Sequence, residues 1–283
     1  MGLHIALEGV GTPLTDACRH VLGMPHLCPS GLSENWLWKE LGHRHWGLIA
    51  KAFGRAEAGF GPAGEPPVYA AFRSISLQGG DLGSVRENDV LDVRSKVTYL
   101  SETRVVSQHA AACRDRLVAD VEMTSVFVRR QAEGVNRSIA RVRIEGRGHA
   151  MPAFGGMPLQ PSGTEPVFSG TGAAPDEREL GTLVVEPCPY LDFNGAGLLY
   201  FSSFVAAVDR AEWHFLGKRS GLVTTRERRA LFHANVELGD RLTVRMLASG
   251  DDALCCHRAL LSTEDGKLLA ELATRRTMAQ KRC

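Results

Sequence analysis

The chain has 283 residues, 44% apolar and 23% charged, which suits two folded modules of about 120–150 residues each and excludes a disordered or membrane-embedded protein. Thirty-three basic and 32 acidic side chains leave a formal charge of +1, so no global field draws the chain to nucleic acid or to an anionic bilayer. Seven cysteines without CxxC spacing argue against a disulfide framework and against a zinc site, and fit a reducing, cytoplasmic location.

Residues 1–10 lack a basic start and apolar core, so no signal peptide is expected, and Ala6 stands where a myristoylation pattern needs Ser or Thr. A first helix is predicted from Ser30 or Ser33 to Ile49, started by Pro29 and a serine cap. A Gly/Pro-rich connection follows at 54–67, then strands at 68–77, 90–100, 105–114 and 117–130. Residues 158–180, rich in Pro, Gly, Ser and Thr, read as a linker between a module at 1–157 and a second at 181–283. The second helix, 196–216, begins AGLLYFSSFVAAV, apolar or small on every face and therefore buried all round. Its run at 196–208 is shorter than the roughly 20 residues that span a bilayer, so no membrane segment is expected. Strands at 225–235, 241–248, 254–262 and 268–278 complete the chain.

The halves repeat. VRENDVLDVR at 85–94 pairs with VELGDRLTVR at 236–245, and LVADV at 117–121 with LLAEL at 268–272, both 151 residues apart. PHLCPSG at 25–31 likewise matches PYLDFNG at 189–195, 164 residues on, the difference falling in the longer first connection. A buried helix wrapped by an antiparallel sheet, twice over, predicts an α+β double hotdog. Because the fused pair supplies the partner that single hotdogs acquire by dimerising, a monomer and a homodimer are both compatible with it.

Residues 24–46, MPHLCPSGLSENWLWKELGHRHW, and 187–215, PCPYLDFNGAGLLYFSSFVAAVDRAEWHF, resemble the LnmK-type double-hotdog biosynthetic proteins, a bifunctional acyltransferase/decarboxylase family. The resemblance runs from about residue 24 to 278. It implies a (methyl)malonyl-CoA-like substrate, decarboxylation through a thioester enolate, and delivery of the acyl group to an acyl carrier protein of polyketide or related assembly. It also implies a tyrosine that carries the acyl group, matched here by Tyr69 in PVYAAF.

Asp192, Asn194 and Gly195 are the foremost candidates in the residues themselves. A helix start exposes unpaired amides that suit a thioester oxygen turning into an oxyanion or enolate, and glycine allows close approach. The loop resembles the Asp-containing loop of 4-hydroxybenzoyl-CoA thioesterase-like hotdogs, where Asp192 would be nucleophile or base and Asn194 a donor. Helix capping explains the same residues equally well. The equivalent first-half loop holds His26, Cys28, Ser30 and Gly31; His26 with Glu34 resembles a dehydratase pair, against which stand a turn histidine, a solvated first-turn glutamate and a small buried Cys28. His43 and His45, two apart, do not share a helix face, which favours structural roles over a metal pair.

Tyr69 is either a site residue or an inward strand residue, since an unactivated phenol is a poor nucleophile. Trp36 and Trp38 line an acyl tunnel or the core. Arg73, Arg94 and Lys96 are candidates for a substrate carboxylate or coenzyme phosphates, or are solvated. With no Walker loop, dinucleotide fingerprint or zinc motif, no metal and no permanently bound cofactor is expected, the acyl-CoA or phosphopantetheine thioester being the substrate itself. A hotdog thioesterase or dehydratase, and a non-catalytic thioester or carrier-protein binding module, remain as alternatives.

Overall fold

A computed structural model describes residues 14–56, 59–61, 64–101, 103–144, 177–217, 222–249, 253 and 255–279. Its first element is an unexpected strand, β1 (Leu14–Val21), whose residues alternate between partly buried and exposed. The inward set is Leu14, Asp16, Cys18 and His20 and the outward set Thr15, Ala17, Arg19 and Val21, so each face mixes polar with apolar residues and the alternation that marks a strand is lost.

A two-stranded ribbon, β2 (Leu27–Cys28) and β3 (Gly31–Leu32), then leads into helix α1 (Glu34–Ala52). Pro29 and Ser30 turn this ribbon and lie outside the helix. Ser33 is the cap, its Oγ accepting from Trp36 N at 3.3 Å. Strands β4 (Tyr69–Gln78), β5 (Val90–Ser101), β6 (Arg104–Cys113) and β7 (Arg116–Arg130) follow, each within one residue of its predicted start, and short β8 (Ile139–Arg141) pairs with β7.

The second half opens on β9 (Glu177–Val185), which takes up the end of the stretch read as linker, the rest of which lies outside the described residues. A single turn, α2 (Pro189–Asp192), and a loop precede α3 (Phe201–Glu212), which runs on as a π-helical turn at Trp213–Gly217. Strands β10 (Val223–Phe232), β11 (Leu242–Ser249), β12 (Cys256–Ser262) and β13 (Leu268–Met278) end the fold.

All these ladders are antiparallel, and the large sheet runs β1-β5-β6-β7-β4-β10-β13-β12-β11-β9. Read outward from the β4/β10 seam, where Ile75 faces Ala230, the two halves have the same order of equivalent strands. Their irregularities coincide as well. A bulge at Arg73 in β4 is repeated at Arg226 in β10, each leaving one arginine unpaired against the neighbouring strand.

The two helices lie against this sheet and touch each other. Leu37, Trp38 and Leu41 of α1 pack with Phe204, Val205 and Val208 of α3 in one core, each such side chain contributing about 1.5–3 kcal/mol by leaving water. Gly42 permits the contact, because a Cβ there would lie 2.5 Å from Tyr200 Oη and 2.8 Å from Phe201 Cε1.

Candidate active site

The seam holds a cavity of about 340 Å3. Its floor is aromatic, with Phe72 and Phe201 at 4.3 Å between ring centroids and Phe204 and Phe232 at 5.6 Å. Tyr69 and Arg73 reach it from β4, and Asn194, Leu198 and Tyr200 from the loop before α3. His233 and Asn235 follow β10, while Arg137, Arg141 and Lys267 add cationic groups. No Asp or Glu is among the described residues lining it.

Arg73 is fixed from behind. Its Nη1 donates to the Phe232 carbonyl and lies 3.1 Å from His233 Nδ1. A guanidinium only donates, so Nδ1 is the acceptor, Nε2 carries the hydrogen, and that hydrogen goes to Glu271 Oε1 at 2.8 Å. Burial, then the nearby Arg141 and Arg104, push the Arg73 guanidinium below its ordinary value. An anion bound beside Arg73 relieves that repulsion. The Arg130 guanidinium carbon sits 5.9 Å from the centre of the Tyr69 ring. Burial pushes Tyr200 up to about 12, keeping it a neutral phenol.

The loop before α3 departs from the predicted helix start. The helix begins at Phe201 with Tyr200 at its cap position, so Asp192, Asn194 and Gly195 all precede it. Asp192 is buried and its Oδ2 accepts from Cys188 N at 2.8 Å, while its carbonyl accepts from Tyr200 N and Ser203 Oγ. That carboxylate braces the turn and does not line the cavity. Gly195 does not line it either, and a Cβ there would meet nothing within 4 Å. Asn194 does line it: Oδ1 accepts from Ala196 N at 3.0 Å and Leu198 N at 3.1 Å, leaving Nδ2 with no bond among the described residues.

The other candidates lie elsewhere. His26 accepts from Gly23 N at 2.8 Å through Nδ1 and packs edge-on to Trp36, away from the seam cavity. Arg94 is exposed on β5, as is Lys96. Trp38 is core and donates to Glu34 at 3.0 Å. His45 is buried in a chain running Ser125–His45–Ser107–His109–Ser95, with links of 2.6–2.8 Å. Gly31 has φ of +132° and a Cβ there would strike the Leu82 carbonyl, so its role is backbone fit.

Ser30 belongs to a second cavity, about 370 Å3, at the start of α1. It is the repeat-related counterpart of the first with its chemistry changed. Phe201, first in α3, corresponds to Glu34, first in α1; Phe72, before the Arg73 bulge, corresponds to Thr225, before the Arg226 bulge. Glu34, expected in solvent, is buried beside Arg228, which also meets Asp209 at 2.8 Å and Glu212 at 3.3 Å. Arg276 holds Asp209 at 2.7 Å and also meets Glu212. Burial opposes the charge on Glu212, yet Arg276, His257 and Arg228 hold its carboxyl well below the usual range.

His233, Glu271, Asn235 and Arg141 were not singled out from sequence. No family model matches the sequence, and no curated protein matches it. Among solved structures, an acyl-ACP thioesterase from Bacteroides thetaiotaomicron VPI-5482 is 10% identical, with 93% of this chain and 98% of that one covered at a TM-score of 0.67. A 12:0-ACP thioesterase from Umbellularia californica is 11% identical, with 97% and 96% covered at 0.68. The likeness is one of fold: the chain has the hotdog architecture of these proteins, a large antiparallel sheet packed on helices.

Proposed function

We propose that the protein is an acyl-thioester-processing enzyme, two hotdog modules in tandem that take the acyl group of a coenzyme A or acyl-carrier-protein thioester into the seam cavity. The observation that carries this reading is the cavity itself: an aromatic floor suited to an acyl group, the free Asn194 Nδ2 as donor, and a cationic wall without carboxylates for an anionic substrate.

Hydrolysis is the first reading. The two fold relatives are thioesterases by name, and His233, backed by Glu271, is the described base on the cavity wall. Water entering between Arg73 and His233 gives its proton to Nδ1, Glu271 holds the imidazolium, and the hydroxide adds to the thioester carbonyl. Asn194 Nδ2 receives the oxyanion. Collapse expels the thiolate, which takes the proton back from His233.

Decarboxylation with acyl transfer is the second reading, favoured by Tyr69 and Arg73 sharing one wall. Arg73 holds a malonyl-type carboxylate out of the thioester plane, carbon dioxide leaves, and Asn194 receives the enolate oxygen, so no strong base is needed. Tyr69 then serves as acyl carrier toward the carrier protein or as a hydrogen-bond donor to the thioester.

Mass spectrometry after incubation with malonyl-, methylmalonyl- and simple acyl-CoA, with and without a phosphopantetheinylated carrier, separates these. Free acid with free thiol supports hydrolysis. Loss of carbon dioxide or acylated carrier supports the second reading, and no change in any thioester overturns both.

A further inference from the structure

We propose that Cys18, His20 and Glu40 form a divalent-metal site for which Zn2+ is the fitting ion, clipping the outer edge of the sheet to helix α1. The site lies apart from the seam cavity and does not depend on the reaction proposed there. Cys18 and His20, two apart on a strand, share the inward face of β1, and Glu40 comes from the helix packed over it. His20 Nε2 is 3.0 Å from Cys18 Sγ and 3.1 Å from Glu40 Oε1, and the three donor atoms lie within 4.8 Å of one another. Trp36, edge-on to His20 at 5.5 Å, helps set the ring.

One ring nitrogen therefore faces a thiol and a carboxylate. Nε2 either donates its hydrogen to Glu40 Oε1 or, without one, accepts from the Cys18 thiol, so at most one full hydrogen bond forms there. A cation among the three atoms replaces it with three direct bonds. Thiolate, imidazole and carboxylate together suit Zn2+, whose bonds of about 2.3 Å to sulfur and 2.0–2.2 Å to nitrogen and oxygen set tetrahedral ligand atoms about 3.3–3.6 Å apart, so Nε2 would part from its two neighbours by a few tenths of an ångström. Water fills the fourth position.

As the Zn–S bond forms, the S–H bond breaks and its proton passes to solvent, with no change of oxidation state. Arg44 is paired with Asp16 and also lies 3.7 Å from Glu40 Oε1, and Lys51 meets Asp16 at 3.4 Å. The thiolate, Glu40 and Asp16 thus face two side-chain cations and the ion. Sheet edges invite unwanted strand pairing, and a clip at β1 fixes this one in place.

Co2+ titrated into the metal-free full-length protein is the test. The expected result is one equivalent bound with a thiolate-to-cobalt charge-transfer band and a tetrahedral visible spectrum, displaced by Zn2+. Cys18→Ser removes the band, His20→Ala and Glu40→Gln weaken binding by ~10–100-fold or more, and Cys28→Ser changes nothing. No band in the wild type, or a band that persists in Cys18→Ser, overturns the proposal. Should Cys18→Ser not fold, alkylation of the wild-type protein decides: Zn2+ protects Cys18 from iodoacetamide if the site is real, and equal labelling with and without Zn2+ overturns it.

Discussion

Arg228 Nε lies 3.1 Å from Glu34 Oε1, tying the seam strand of the second half to the first helical residue of the first half. The guanidinium is fully buried and also holds Asp209 and Glu212, so removing it leaves three buried or half-buried carboxylates beside Arg276. Uncompensated buried charge costs far more than a surface pair. Arg228→Ala is expected to destabilise by roughly 3–5 kcal/mol, lowering the melting midpoint by roughly 6–20 °C. Thermal denaturation followed by circular dichroism checks it, and a change under 2 °C would refute the buried-cluster account.

The first half carries neutral histidines at the corresponding depth, and these set an acid limit. Burial, then Arg44, pushes His109 down to about 3, and burial, then His109, holds His45 well below its usual value. The unfolded chain takes up these protons near pH 6.5, whereas the folded protein refuses them until much lower pH. Protons thus favour the unfolded state, and stability that is complete above about 6.5 is lost as pH falls through that value. The slope is up to ~1.4 kcal/mol per pH unit per histidine. The depressed Glu212 loses its contribution only at lower pH, below the ordinary carboxylate range. Urea midpoints between pH 7.5 and 5 should therefore fall in the wild type and fall less steeply in His109→Gln; equal slopes would refute the assignment.

What the sequence revealed follows from how each residue spends its polar atoms. Strands β8 and β9 escaped the reading, whereas β4–β7 and β10–β13 were legible as short segments bounded by turn signals, and the 151-residue repeat matched β5 to β11 and β7 to β13. Strand β1 was not, because Asp16, Cys18 and His20 point inward and mimic a polar loop. Tyr69 and Arg73, four apart on β4, and Asn194, more than a hundred residues further on, line one cavity. Asp192 does not join them, since its carboxylate closes a turn on Cys188 N, a bond no residue pattern announces. His233 was missed because its meaning comes from Glu271 and Arg73, which only the folded sheet brings beside it.

Gly42 offers a test of helix packing. Glycine inside a helix normally gains about 1 kcal/mol on becoming alanine. Here the new methyl group would collide with Tyr200 Oη and the Phe201 ring, both of which line the seam cavity. Gly42→Ala is expected to destabilise by ~1–3 kcal/mol and to reduce thioester turnover through displaced lining residues. Chemical denaturation and a thiol-release assay measure the two effects, and a stabilised, fully active variant would show that the helices are not in contact at this point.

Asn194 separates bracing from chemistry within a single side chain. Its Oδ1 binds two loop amides, the side chain lines the cavity, and Nδ2 has no bond among the described residues. Asn194→Asp keeps both acceptor bonds and deletes only the donor, whereas Asn194→Ala deletes everything. If Nδ2 stabilises a thioester oxyanion or enolate, Asn194→Asp should retain its melting point and lose ~10²–10³-fold in kcat, the cost of one such donor. Asn194→Ala should lose a similar factor and also ~1–3 kcal/mol of stability, because two loop amides lose their acceptor. The added negative charge of aspartate repels an anionic substrate and so raises KM, which makes kcat the deciding readout. Unchanged kcat in Asn194→Asp would leave Asn194 as a loop brace alone, and the oxyanion donor would have to come from another group on the cavity wall.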